Sequence, residues 1–208
     1  MTNREQILAS LHQQQRAVTH PPAWETSRRF DDLAERFTAS LTVGAGEVHR
    51  AASLAEALDV LGQLLAELPA HQAAVNTEPP LEGIDLAARW PNVEWHVTGQ
   101  SSGDLRSFCA AADAGITGVD AALAETGTIV VSSGSGRSRL VSLLPPVHIA
   151  LVPTSSLTVD LFTWTAARGG AMPASVTLIS GPSKTADIEQ VMAIGVHGPK
   201  RLIVVLYD

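Results

Sequence analysis

The chain has 208 residues, a length that suits one domain of ordinary size or two small ones. Hydrophobic residues make up 45% of the sequence and charged residues 17%, which argues against a disordered chain and predicts a well-buried globular core. With 14 basic and 21 acidic residues the net charge is −7, so the chain lacks the overall basic field that nucleic acid or an anionic membrane attracts, although a local basic pocket is compatible with it.

The sequence contains a single cysteine, Cys109, so neither an internal disulfide nor a CxxC ligand pair for zinc or an iron–sulfur cluster is available. The first residues lack the apolar core of a signal peptide. The longest uncharged run, 140–159, contains Pro145, Pro146 and Pro153 and does not resemble a membrane span. These features predict a cytoplasmic protein without a membrane span.

Two amphipathic helices are predicted at the start of the chain. Residues 1–19 are polar with apolar side chains at helical spacing, and residues 24–40 place Phe30, Leu33 and Phe37 on one helical face. We expect residues 1–40 to form a helical extension and residues 41–208 to form the main α/β domain.

The rest of the chain alternates between strand-like and helix-like segments. Strands are predicted at 47–49, 73–76, 93–97, 128–132, 147–152, 175–180 and 201–207. Helices are predicted at 53–67, opened by a Ser53/Glu56 capping box, at 104–113 and at 156–168. This alternation predicts an α/β fold around a largely parallel sheet, in which ligands bind at the loops that follow the strands.

The first candidate functional segment precedes the strand 128–132. Residues 121–125 are interpreted as one helical turn that places Glu125 beside a glycine turn and apolar neighbours. Because such surroundings raise the pKa of a carboxyl group, Glu125 is a candidate general base or nucleophile. The alternative is that Glu125 hydrogen-bonds backbone amides and maintains the shape of the turn.

The second segment, Ser132-Ser-Gly134-Ser-Gly136-Arg137-Ser-Arg139, directly follows that strand. Glycines let backbone amides surround an anion, hydroxyls add donors, and the arginines bind phosphate or carboxylate through two parallel hydrogen bonds. The segment is neither a Walker loop nor a dinucleotide-binding fingerprint. An exposed turn with solvated arginines is the alternative.

The third segment, Ile179-Ser-Gly181-Pro-Ser183-Lys184-Thr185-Ala-Asp187, also follows a strand. Lys184 is one of only two lysines in the chain and is expected to pair with an anionic ligand or with Asp187. The alternative is a helix N-terminus capped by Ser183 or Thr185.

His197 lies between glycines before the last strand, and its ring would suit proton transfer, although a lone histidine is more often structural. The histidines show neither an HxxxH nor an HExxH pattern, so no metal site is predicted within the chain.

Four motifs together resemble LUD-domain proteins of the LutC/YkgG type. They are Gly115-Ile-Thr with Ala124-Glu-Thr-Gly-Thr128, Arg139 with Leu144-Pro-Pro and His148-Ile, Gly181-Pro-Ser-Lys-Thr-Ala-Asp-Ile-Glu189, and Gly195-Val-His-Gly-Pro199. Their order and spacing match over about residues 105–208, whereas the first hundred residues match in general character.

The resemblance implies a Rossmann-like fold similar to the NagB/RpiA/CoA-transferase superfamily, with helices on both faces of the sheet. It also implies a role in lactate utilization, in which such a protein acts with two iron–sulfur proteins to oxidise L-lactate to pyruvate. The LutC-type member is the one without cluster cysteines, and a chain whose single cysteine is Cys109 fits that description. No intrinsic cofactor is expected, and the clusters are expected on the partners.

On this hypothesis the chain is the subunit without an iron–sulfur cluster, and its loops bind an anion: a substrate carboxylate or a phosphorylated or CoA-like ligand. Glu125 and His197 are the candidate acid/base residues. The predicted ligand-binding residues are Thr126, Gly127, Thr128, Ser133, Gly134, Gly136, Arg137, Arg139, Ser180, Gly181, Ser183, Lys184, Thr185 and Asp187, the last of which would orient Lys184.

Two other functions stay open at this point. The chain is alternatively a stand-alone enzyme of the CoA-transferase or sugar-phosphate isomerase kind that uses Glu125. A third alternative is an assembly or regulatory factor with a vestigial pocket, whose residues 1–40 bind a partner.

Overall fold

A computed structural model describes residues 3–14, 24, 26–169, 172–186 and 192–208. Its helices are α1 (Asn3–Gln14), α2 (Leu33–Val43), α3 (Leu54–Glu67), α4 (Leu86–Arg89), α5 (Leu105–Ala111), α6 (Arg139–Leu143) and α7 (Leu161–Ala167). Its strands are β1 (Glu47–Ala51), β2 (Gln72–Val75), β3 (Glu94–Val97), β4 (Ala114–Thr117), β5 (Ala121–Leu123), β6 (Thr128–Ser132), β7 (Val147–Pro153), β8 (Leu157–Thr158), β9 (Val176–Ile179), β10 (Lys184–Ala186), β11 (Met192–Ile194) and β12 (Arg201–Tyr207).

Six parallel strands form the central sheet, in the order β1-β12-β7-β4-β2-β3. A smaller mixed sheet has the order β8-β5-β6-β9, and β10 and β11 form an antiparallel pair. The predicted α/β class with a largely parallel sheet is confirmed.

Both faces of the central sheet are covered. Alternate residues of its strands, such as Ile149 and Leu151, pack against α3 and α4. The residues between them, such as Ala150 and Val152, pack against α2 and the smaller sheet. On that second face, Cys109 of α5 and Val141 of α6 pack against Ala74 of β2. This layering explains why β7 and β12 are almost entirely apolar, since strands buried on both faces cannot alternate with polar residues.

Cys109 has no solvent exposure, and burial raises the pKa of its thiol to about 11. The single cysteine of the chain therefore packs as an apolar core residue.

Local capping explains where the helices begin. The predicted capping box at α3 is confirmed for Ser53, whose Oγ accepts from Glu56 N at 3.3 Å; the Glu56 carboxylate accepts at 2.8 Å from Ala52 N, one residue before the expected donor. The prediction of a helix over 24–40 is wrong in its start, because Asp32 caps α2 by accepting from Ala34 N and Glu35 N. The predicted helix over 156–168 likewise begins only after Asp160, which accepts from Thr163 N at 2.8 Å.

The prediction of a helical turn over 121–125 is wrong. Ala121–Leu123 is strand β5, antiparallel to β6 and parallel to β8. All three residues are buried, so hydrogen bonding to two neighbouring strands satisfies their backbone where no water reaches it.

Candidate functional site

The carboxyl ends of β2 and β4 form the topological switch point of the central sheet. The chain leaves β2 for β3 on one side, whereas it leaves β4 for β7 on the other side through the smaller sheet and α6. Diverging connections leave a crevice between two neighbouring parallel strands, which is where open α/β sheets bind ligands.

Asn76, the residue after β2, joins three loops at this crevice. Its Oδ1 accepts hydrogen bonds from Thr98 Oγ1 and from Ser138 N, each at 3.0 Å. Its Nδ2 donates to Ser138 O at 3.3 Å. Asn76 is buried, and this network holds the loop before α6 against the ends of β2 and β3.

The Gly134–Arg137 loop packs closely on the same strand ends. Thr77 N donates to Gly136 O at 2.9 Å. Gly136 has φ +68°, and a Cβ at this position would lie 2.0 Å from Thr77 Oγ1. A residue with a side chain would therefore meet both backbone strain and a steric clash here. By contrast, the nearest atom to a Cβ on Gly134 would be Arg137 Cδ at 3.8 Å.

A cleft of about 420 Å³ lies between these loops. Its walls come from the segments that follow β2 and β3 and from the loop that follows β6. They are formed by Thr77, Glu78, Pro79, Glu82, Thr98, Gly99, Gln100, Ser135, Gly136 and Arg137. We call this space the switch-point cleft.

Glu78 is a buried carboxyl group in the wall of the switch-point cleft, with 8% of its surface exposed. One carboxylate oxygen, Oε1, accepts a hydrogen bond from Gly118 N at 2.9 Å. The other, Oε2, is buried and has no hydrogen-bond partner among the described residues. Burial raises the pKa of Glu78, and four neighbouring groups oppose that rise: the backbone N–H of Glu78 itself, the charge of Arg137, the hydrogen bond from Gly118 and the side-chain amide of Asn76.

Arg137 contributes the positive charge of the cleft wall. Its Nη1 donates to a carboxylate oxygen of Asp120 at 2.8 Å, and its side chain is one-third exposed. A guanidinium held in this way by one carboxylate still presents other N–H donors to a second.

The two arginines of the predicted anion-binding loop separate in space. Arg139 begins α6, is exposed, and donates to Ser175 Oγ at 3.5 Å. Ser133 N donates to Ser175 O at 3.0 Å, so Ser133 also lies beside the residue that precedes β9. Neither residue lines the switch-point cleft, whereas Gly136 and Arg137 do.

The other predicted residues gather at the opposite end of β6. Hydroxyl groups there form a short chain, with 2.6 Å between Thr126 Oγ1 and Thr128 Oγ1 and 2.7 Å between Thr128 Oγ1 and Ser180 Oγ. Gly127, with φ +62°, lies so close to α2 that a Cβ would be 2.2 Å from Leu41 N.

Lys184 belongs to this second group. Its Nζ donates to Gly44 O at 2.9 Å, and a Cβ on Gly181 would lie 2.5 Å from the same oxygen. Gly44 lies three residues before β1, so the group occupies the edge at which β1 begins, opposite the switch point.

The alternative of a helix N-terminus at Ser183 or Thr185 is wrong, because Lys184–Ala186 is strand β10, paired with β11. Asp187 lies outside the described residues, so its predicted pairing with Lys184 stays a prediction.

Glu125 also lies away from the switch-point cleft. Arg28 Nε lies 3.1 Å from its Oε1. Its carbonyl oxygen accepts hydrogen bonds from Arg36 Nη2 at 3.2 Å and from Ser40 Oγ at 3.1 Å. A stand-alone enzyme that used Glu125 would therefore act at the junction with α2.

His197 is exposed in the turn that precedes β12. It lies at the edge where β12 begins, so the structure does not bring it to Glu78 and Arg137.

A buried histidine lies beside the switch point instead. His148, on β7, has no solvent exposure, and its Nε2 is 2.9 Å from Thr117 Oγ1 at the end of β4. Its Nδ1 has no hydrogen-bond partner among the described residues. Burial lowers the pKa of His148 to about 4, so the ring is neutral at physiological pH.

The sequence analysis missed Glu78, although a local signal was present. Asn76-Thr-Glu-Pro79 is a polar run directly after the apolar strand β2, the same pattern that singled out the loops after β6 and β9. Asp120 was missed because its partner, Arg137, is 17 residues away.

In the described parts of the chain, no group of three or more histidine, cysteine, aspartate or glutamate residues is arranged to hold a metal ion. No helix within the same ranges has both the length and the apolar character needed to cross a bilayer.

The fold and the cleft define a parallel-sheet α/β protein with a polar site at its switch point. The sequence profile of the LUD domain matches residues 34–207, and the chain therefore belongs to the LUD-domain family.

Two relatives and one solved structure show how far the similarity extends. The chain is 31% identical to lactate utilization protein C 1 of Bacillus mycoides over 99% of this chain and 97% of that protein. It is 35% identical to lactate utilization protein C of Halalkalibacterium halodurans over 74% of this chain and 69% of that protein. A crystal structure of a DUF162-family protein from Deinococcus radiodurans covers 85% of this chain and 96% of its own, with 19% identity and a TM-score of 0.59, and thus shares the fold.

Proposed function

We propose that this chain is the subunit without an iron–sulfur cluster in a cytoplasmic system that oxidises L-lactate to pyruvate, and that its switch-point cleft binds an anionic small molecule. The relatives named lactate utilization protein C support the process, and one of them matches nearly the whole chain. The observation that carries the binding site is Arg137, which lines a cleft at the switch point of the sheet.

Arg137 suits a small carboxylate as ligand. A guanidinium group can bind both oxygens of a carboxylate through parallel hydrogen bonds. The close approach of Gly136 to Thr77 holds the loop in place, so Arg137 starts from a fixed backbone position. Asp120 restrains the guanidinium through Nη1. Binding of a carboxylate then needs little reordering of the site.

The cysteine content supports the division of work between subunits. A cluster of the [2Fe–2S] or [4Fe–4S] type needs several cysteine thiolates, whereas this chain has one cysteine, and that thiol is buried with a raised pKa. In the proposal, two partner proteins hold the clusters and transfer the electrons from lactate.

The partner proposal is tested by affinity purification of the chain from its source cells grown on lactate. Two brown, cysteine-rich partners in the eluate, together with lactate-dependent reduction of a dye, are the expected result. A colourless chain recovered alone under these conditions would contradict the subunit role.

The ligand proposal is tested by calorimetry with L-lactate and pyruvate on the purified chain. Arg137→Ala should weaken binding at least about tenfold, since it removes a charge-assisted hydrogen-bond pair. Arg139→Ala is the matched control, because this arginine belongs to the same loop but does not line the cleft. Equal affinities in both folded variants and the wild type would overturn the assignment of the site.

A further inference from the structure

We propose that Glu78 binds a second oxygen of the ligand: its neutral carboxyl group donates a hydrogen bond to the C2 oxygen of a small 2-oxo- or 2-hydroxycarboxylate whose carboxylate is bound by Arg137. The inference rests on the proposed function of the switch-point cleft, and it specifies the chemical class of the ligand.

The geometry of Glu78 supports this role. Gly118 N fixes Oε1, so the position of the carboxyl group is set by the end of β4. Gly118 packs closely against the segment that carries Glu78, since a Cβ on this glycine would lie 2.1 Å from Pro79 O. Oε2 is left buried without a hydrogen-bond partner among the described residues.

Leaving a buried polar atom unpaired is energetically unfavourable, and such atoms in folded proteins call for an explanation. A ligand oxygen in the cleft would provide the partner. Oε2 is covered by neighbouring atoms, so the ligand reaches it when a side chain of the cleft wall turns aside.

The charges around Glu78 favour its neutral form once an anion binds. The charged groups in the cleft wall beside Glu78 are Arg137, whose charge favours ionisation, and the exposed Glu82. Asp120 reduces the influence of Arg137 through its ion pair. An arriving carboxylate adds a negative charge and engages Arg137, so both effects disfavour a second negative charge on Glu78.

This protonation state distinguishes the two ligand types. A carbonyl oxygen only accepts hydrogen bonds, so a 2-oxo acid requires the neutral, donating form of Glu78. A hydroxyl group donates or accepts, so a 2-hydroxy acid binds to either form. We therefore expect pyruvate affinity to fall as the pH rises through the pKa of Glu78, and L-lactate affinity to fall less.

The test measures dissociation constants for pyruvate and L-lactate from pH 5 to pH 8 in the wild type, Glu78→Gln and Glu67→Gln. In the wild type, pyruvate affinity should drop up to about tenfold per pH unit above the pKa of Glu78, as expected for a single required proton. Glu78→Gln keeps a donor without a titrating proton, so its pyruvate affinity should not vary with pH. Glu67→Gln, the same change of charge on an exposed residue of α3 that does not line the cleft, should behave as the wild type.

Three results would overturn the inference. One is an unchanged pH dependence in Glu78→Gln, and a second is an equal pH dependence for the two ligands in the wild type. In both cases, loss of binding in Arg137→Ala would show that the proposed function of the cleft stands without this role for Glu78. The third is a wild-type chain that binds neither acid at millimolar concentration, which would overturn the ligand proposal for the cleft as well.

A second measurement keeps the inference testable if Glu78→Gln does not fold. Titration of ¹³C-labelled glutamate carboxyls by NMR in the wild type follows the protonation of Glu78, whose pKa is raised, directly. Addition of pyruvate should move its pKa further upward, and an unchanged or lowered value would contradict the proposal.

Discussion

His148 places an ionisable ring among apolar strands next to the switch point. The ring has a single hydrogen-bond partner among the described residues, Thr117, and contacts no solvent. Protonation would bury a charge among the apolar residues of β7 and its neighbours, which is why the pKa of His148 falls from its ordinary value of 6.5 to about 4.

Acid should therefore destabilise the protein through His148. Because the pKa is lower in the folded state, the unfolded chain takes up the proton first as the pH falls through 6.5. The stability contribution is complete above pH 6.5 and is lost between pH 6.5 and about pH 4, by about 3 kcal/mol at most. Urea unfolding across this range measures the loss.

The variant His148→Gln isolates this effect, since an amide can still bond to Thr117 but does not titrate. We expect its unfolding free energy to fall less between pH 6.5 and pH 4 than that of the wild type. His71→Gln is the control, because that side chain is exposed. Identical pH profiles for His148→Gln and the wild type would contradict the assigned role.

At the scale of elements, the loop between β6 and α6 depends on one glycine. Gly136→Ala should destabilise the protein by about 1–3 kcal/mol, because it combines a left-handed backbone with a clash against Thr77. The displaced loop should also carry Arg137 out of position and weaken carboxylate binding.

Gly134→Ala tests whether the loss of stability is specific to position 136 or follows from adding a side chain at any glycine of the loop. It adds the same methyl group two residues away, where the nearest atom is 3.8 Å from the new carbon. Urea unfolding and calorimetry should show a small effect for Gly134→Ala and a large one for Gly136→Ala. Similar losses in both variants would show that the loop is sensitive to any side chain.

Sequence reasoning succeeded where the determining contacts are local. The Ser53/Glu56 pair acts within one helical turn, so its spacing alone predicts the start of α3. Ala121–Leu123 carries no such signal, since β5 is defined by pairing with β6 and with the more distant β8. Short apolar runs fit a helix or a strand equally until their neighbours are known.

The candidate site divides in the same way. Gly136 and Arg137 are recognisable from a glycine- and arginine-rich run after a strand. The role of Glu78 depends on Gly118, 40 residues further along the chain, and on the loop that carries Arg137. Glu125 and His197 were singled out by local composition, and only the folded chain shows that neither lines the switch-point cleft.

At the scale of the whole molecule, α2 joins the N-terminal residues to the core. Ala34, Phe37 and Leu41 are buried with residues of β7 and β12. The predicted domain boundary at residue 40 falls inside this helix, and it stays a prediction that truncation can test.

Deletion of residues 1–40 should destabilise the chain by at least about 3 kcal/mol, because it removes Phe37 and leaves a large void against the sheet. Deletion of residues 1–14 is the control, since the described side chains of α1, residues 3–13, are all exposed. Size-exclusion chromatography and urea unfolding compare the two. A stable, monodisperse 41–208 fragment would show that the α/β domain folds without α2.

The burial of Cys109 has a practical consequence for locating the partner surfaces. A thiol with no exposed area and a pKa near 11 is almost entirely unreactive toward maleimides and disulfide probes at neutral pH. Because the chain has no other cysteine, one cysteine introduced at a chosen surface position becomes the sole point of attachment. Spin labels and photocrosslinkers can therefore be placed one site at a time on the native background.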